Sequence, residues 1–85
     1  MSESWTPPEK EWYALRGRKH VRYYRKNGRY LDHGRAVALK GVEPTPGSTV
    51  TPFPETTWKV VEVRWPENYS CLEVYVDYDG EWMAS

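Results

Sequence analysis

From His20 onward, polar and apolar residues alternate with a period of two, the repeat of a strand that buries one face. His20-Val21-Arg22-Tyr23-Tyr24-Arg25 puts Val21 and Tyr23 on one side. Lys26-Asn27-Gly28-Arg29 comes next, and Asn-Gly is a strong hairpin signal because both residues tolerate positive φ. Tyr30-Leu31 is expected to run back as a second strand until Asp32-His33-Gly34 makes another turn, leaving Asp32 and His33 in solvent. Arg35-Ala36-Val37-Ala38-Leu39-Lys40 reads as a further strand with Val37 and Leu39 pointing inward.

Two more strands are expected near the end of the chain. Thr57 to Trp65 is rich in β-branched residues, with Val61, Val63 and Trp65 in phase. Pro66-Glu67-Asn68 then turns, and Cys71 to Tyr78 alternates with Leu72, Val74, Val76 and Tyr78 inward and Glu73, Tyr75 and Asp77 outward. Asp79-Gly80 signals another turn before a short last strand, Glu81-Trp82-Met83. Four of the seven prolines lie between Val42 and Glu55. Without amide donors they bar a central strand, so residues 43–56 are expected to form a long, exposed, semi-extended loop pinned by Phe53. At the other end, Thr6, Pro7 and Glu9 form a helix-start signature and Gly17 a stop, which predicts a short helix over residues 7–16. A strand through Trp12-Tyr13-Ala14-Leu15 is the competing reading.

The pattern implies a mostly β, five-stranded barrel with a short N-terminal helix, all in one domain, residues 1–85. A chain of this length buries only roughly 60% of its unfolded surface. Five Trp, seven Tyr and one Phe therefore matter first as core material. Cys71 is the only cysteine, so no intrachain disulfide forms, and it has no Cys or His partner at metal-ligand spacing. The first residues lack a basic segment followed by an apolar one, and no apolar run reaches membrane-spanning length. These features predict a protein of a reducing cytoplasm with no membrane association; on the same ground the Asn68-Tyr69-Ser70 sequon carries no meaning.

Charge is unevenly distributed along the chain. The formal total is zero. Residues 1–41, however, hold ten basic against four acidic residues, a net of +6, and residues 42–85 hold two against eight, a net of −6. Arg16, Arg18, Lys19, Arg22, Arg25, Lys26 and Arg29 occur with no acid among them and with Tyr23, Tyr24 and Tyr30 interleaved. Cations follow a phosphate backbone and aromatic faces stack on bases. An equally physical reading pairs the basic strands with the acidic ones across a sheet, which would cancel the field.

The run Val21 to Leu39, with an aromatic (Tyr30) after one glycine turn and a new strand after Gly34, resembles the opening hairpin of SH3-like barrels of the Tudor and KOW kind. The resemblance covers about two thirds of the chain; the prolines of 44–54 and the N-terminal helix depart from it. It implies a binding module for nucleic acid, a peptide or a protein. An aromatic methyl-lysine cage of the Tudor type would draw on Tyr24, Tyr30, Tyr75 and Tyr78. In style the chain also resembles many small bacteriophage proteins, which implies a bacterial or phage-infected host cell.

Catalytic chemistry is thin. Asp32-His33 is the one acid–His neighbour pair, and Cys71 has no spacing relation to His20 or His33 that suggests a nucleophile–base pair. Asp77-Tyr78-Asp79-Gly80 lacks the later ligands of a calcium loop. No phosphate loop, dinucleotide fingerprint or zinc signature is present. The expectation is a non-enzymatic module with no cofactor, metal or small-molecule substrate. Its first candidate surface, for DNA or RNA, is Arg16, Arg18, Lys19, Arg22, Tyr24, Arg25, Lys26, Arg29 and Tyr30. The alternative is a protein-binding adaptor or inhibitor, such as a phage protein acting on a host or defence factor, using Phe53, Glu62, Glu73, Tyr75 and Asp77.

Overall fold

In the computed structural model of the chain, residues 15, 17–67 and 71–83 are described. Five strands form one curled sheet: β1 (His20–Arg25), β2 (Tyr30–Arg35), β3 (Thr49–Val50), β4 (Trp58–Arg64) and β5 (Cys71–Val76), in the order β2-β1-β5-β4-β3. Neighbours pair antiparallel except β1 and β5, which run parallel at the centre of the sheet. The expected barrel is not closed. No ladder joins β2 to β3, and the sheet is a five-stranded half-barrel with these two strands as its edges.

The first hairpin forms where the alternation and the Asn-Gly turn place it. Gly28 takes φ +93°, Arg25 and Arg29 close the loop with a 2.8 Å backbone hydrogen bond, and the Asn27 carboxamide accepts from the Arg29 amide at 2.9 Å. Val21 and Tyr23 are fully buried, as are Leu72, Val74 and Val76 on β5.

Several expectations are corrected. Asp32-His33-Gly34 is not a turn: β2 runs through it to Arg35. A bulge opposite Tyr23 and Tyr24 makes Leu31 an extra residue, so Leu31 and Asp32 both face the core. Ala36–Leu39 is a 3₁₀ turn rather than a strand. It buries Ala36 and Leu39, three apart on one side, and leaves Val37 partly exposed. On β4 a second bulge at Val61 resets the phase. Trp58 and Val60 are buried, Val61 is exposed, and Val63 and Trp65 pack only partly against the core. The proline-rich stretch is not wholly exposed either, since Pro44, Val50 and Pro52 are buried and β3 pairs with β4 inside it. Glu81-Trp82-Met83 forms no strand. The helix expected over 7–16 falls outside the described residues apart from Leu15, which is fully buried.

Side chains occupy the open side between β2 and β3. Phe53 packs edge-on to Tyr23 and Trp58, with ring centroids 6.1 and 6.0 Å apart, and so pins the proline-rich loop. Trp82 lies against Trp58 at 4.9 Å and donates its indole N–H to the Asp32 carboxylate at 2.9 Å. The segment after β5 thus ties β2 to β4 through an aromatic ring, where a closed barrel uses a backbone ladder.

Candidate functional site

The outer face of the sheet carries the residues that alternation turns away from the core. On β1 these are His20, Arg22 and Tyr24. Register sets them beside Arg35, His33 and Tyr30 of β2 and beside Cys71, Glu73 and Tyr75 of β5. On β4 the bulge brings Glu62 next to Tyr75 and Arg64 next to Glu73. One row across three strands is therefore aromatic. Tyr24 and Tyr75 stack at 5.1 Å with planes 18° apart, and Tyr30 meets Tyr24 edge-on at 5.8 Å. The Arg64 guanidinium lies 4.8 Å from the Tyr75 ring centroid, a cation–π contact, and its Nε donates to Glu62 at 2.7 Å.

The cations differ in how far their charge is compensated. Lys26 pairs with Asp77 at 3.1 Å and lies 3.8 Å from Asp79; the hydrogen bond to Asp77 raises its pKa. Arg25 donates to the carbonyls of Gly80 and Tyr30 at 2.8 and 3.2 Å. Arg18 bonds the Pro66 carbonyl and lies over the Trp65 ring. Lys19 and Arg29 are exposed, and Arg16 lies outside the described residues. Arg22 has no carboxylate among the described residues within 4.0 Å. Its pKa is raised by hydrogen bonding to Tyr24 first of all, whereas its register neighbour Glu73 acts instead on Arg64. The parallel pairing of β1 and β5 thus answers the charge question in two parts. Acidic strands neutralise the hairpin at the Lys26 end and leave Arg22 uncompensated on the outer face.

Around Arg22 an open depression of about 430 Å³ is lined by His20, Arg22, Tyr30, His33 and Cys71. Tyr30 is 46% exposed, and its hydroxyl shares a 2.9 Å hydrogen bond with His33 Nδ1. Burial first, and then the Asp32 charge, raises its pKa. A larger depression, about 590 Å³, lies between Arg25, Lys26 and Arg29 on one side and Asp79 and Glu81 on the other, so its cations face acids.

Of the expected residues, the structure groups Arg22, Tyr24 and Tyr30 and separates them from Arg18 and Lys26. Within the alternative set, Phe53 is partly buried against the core, Glu62 and Asp77 are in ion pairs, and Tyr75 belongs to the aromatic row. Tyr78 packs inward on Trp58 and Trp82, so the four tyrosines do not converge on a cage. Sequence reasoning missed His33 and Arg64 as site residues, and it named Tyr75 both with the acids and with Tyr24, Tyr30 and Tyr78 but not in the nucleic-acid surface. The outward phase of Tyr75 was visible, but the bulge that aims Arg64 at it was not.

Asp32 is not solvated. It is 1% exposed, and its carboxylate accepts from the His33 amide at 2.7 Å as well as from Trp82. Among the described residues, no group of three or more His, Cys, Asp or Glu side chains converges on a metal-sized site, and no helix is long and apolar enough to cross a membrane. No family model, curated protein or solved structure matches the chain.

Proposed function

We propose that the chain is a non-enzymatic binding module that takes nucleic acid on the outer face of β1, β2 and β5. The observation that carries this reading is the row of Tyr30, Tyr24 and Tyr75 in ring contact across three strands, with Arg22 uncompensated in the next row. Nucleic acid asks a surface for cations that meet phosphate and for aromatic rings that meet bases. Arg35, exposed and paired with His20 at the far end of β2, extends the positive charge along the same face. Docking of a protein through the acidic strands or the proline-rich loop draws less support. Phe53 is committed to the core, and Glu62 and Asp77 are engaged by Arg64 and Lys26.

The same proposal includes an SH3-like architecture of the Tudor and KOW kind, opened between its second and third strands, and a cytoplasmic site of action in a bacterial or phage-infected cell. The succession β1-β2 and β3-β4-β5-β1 supports the first, and the lone Cys71 the second.

Fluorescence anisotropy with labelled single- and double-stranded DNA and RNA tests the reading. If two phosphates are met by Arg22 and Arg35, affinity should fall roughly 7- to 12-fold between about 50 and 200 mM salt. Absence of binding at the lower salt would overturn it.

A further inference from the structure

The aromatic row is not uniform in what it offers a ligand. Tyr24 and Tyr75 spend one face each on the other, and Arg64 covers the remaining face of Tyr75. These two rings hold β1, β5 and β4 together and leave little face for a base. Tyr30 is different. It is the only exposed tyrosine among the described residues, it touches Tyr24 only edge-on, and the bond to His33 restrains its ring. The depression it borders has the size of a small-ligand site, roughly 300–1,000 Å³. Arg22, His20, His33 and Cys71 line it with Tyr30.

We infer that this depression is a one-nucleotide subsite for single-stranded nucleic acid, with the base against the Tyr30 ring and the adjoining phosphate on Arg22. The inference rests on the nucleic-acid reading above and narrows it to one ring, one cation and an unpaired strand. In a duplex the base faces are already stacked on each other and cannot reach Tyr30; in a single strand they are free. Recognition by the face of a ring makes the subsite tolerant of base identity, because every base has a π-face. Arg22 lines the depression and has no carboxylate among the described residues to release before it meets a phosphate.

The test compares a labelled oligothymidine with a base-free deoxyribose-phosphate oligomer of the same length, by anisotropy at about 50 mM salt. Stacking on one aromatic ring should make the wild-type protein bind oligothymidine roughly 5- to 100-fold more tightly than the base-free oligomer. Tyr30→Ala should abolish that difference and leave base-free binding unchanged, while Tyr30→Phe should keep most of it. Arg22→Gln should weaken both ligands and reduce the salt slope by about 0.7 to 0.9. Equal wild-type affinity for the two oligomers would remove the subsite while leaving salt-dependent binding by the face intact. A preference that survives Tyr30→Ala would also remove it, by placing the base elsewhere. No binding of either oligomer would remove the subsite and the function together.

Discussion

Replacing Tyr23 by phenylalanine deletes one oxygen atom and leaves a ring of the same shape. That ring lies at the centre of the aromatic cluster, 5.5 Å from Trp58 and 6.1 Å from Phe53, and the residue is fully buried. Among the described residues its hydroxyl has no hydrogen-bond partner. A buried, unsatisfied polar group costs about 1–3 kcal/mol, and the apolar contacts do not change, so Tyr23→Phe should stabilise the fold by about 1 kcal/mol. For a domain of this size that raises Tm by about 4–8 °C. The pH dependence supplies an independent sign. Burial pushes the Tyr23 pKa far up, so the folded state keeps the phenol neutral while the unfolded state ionises near about pH 10. Above that pH the unfolded chain binds fewer protons. Wild-type stability then falls by up to about 1.4 kcal/mol per pH unit from this group alone, and the phenylalanine variant escapes that loss. Urea and thermal unfolding of both proteins at pH 7 and pH 10.5 (about half a unit above the free phenol pKa), followed by Trp fluorescence, measure both effects. A variant less stable than wild type at pH 7, or an advantage that does not grow at the higher pH, would refute the reasoning.

The tie across the open side makes a second prediction. Trp82→Phe should cost about 1–3 kcal/mol in urea unfolding by leaving the buried Asp32 carboxylate one donor short, and a double-mutant cycle with Asp32→Asn should show coupling of about 0.5–3 kcal/mol. Gly28→Val forces a β-branched residue to φ +93° and should destabilise the hairpin by about 1–2 kcal/mol, read from the same unfolding curves. Charge compensation predicts a contrast in nucleic-acid titrations. Arg35→Ala should reduce the salt slope by about 0.7 to 0.9, and Lys26→Ala should change it much less, because Asp77 already holds Lys26.

Local signals carried the first hairpin and β5, where a period of two and an Asn-Gly turn act within a few residues. They failed where one residue breaks the count. Val61 and Leu31 are bulges: the phase of Val61, Val63 and Trp65 holds for Val63 and Trp65 but misses Trp58 and Val60, and the turn expected at Asp32 hid the shift at Leu31. Ala36–Leu39 alternates small and large residues as a strand can, yet Ala36 and Leu39 are also three apart, the spacing a 3₁₀ turn uses. Asp32 could not be read as buried, because its indole donor lies fifty residues away. The candidate site divides the same way. Arg22, Tyr24 and Tyr30 are legible in one hairpin, but Tyr75 and Arg64 join them only through the parallel pairing of β1 with β5 and the bulge on β4. That pairing also decides which cations keep their charge, a property no count of basic residues contains.

If the outer face of β1, β2 and β5 takes single-stranded nucleic acid as proposed, a titration of the ¹⁵N-labelled protein with short oligothymidine will map the ligand onto that face. Amide shift changes should concentrate at His20, Arg22, Tyr24, Tyr30, His33 and Tyr75 and fade as salt is raised. Changes gathered instead around the proline-rich loop, or around the mixed-charge rim of Lys26 and Asp79, or no changes at low salt, would contradict the proposal.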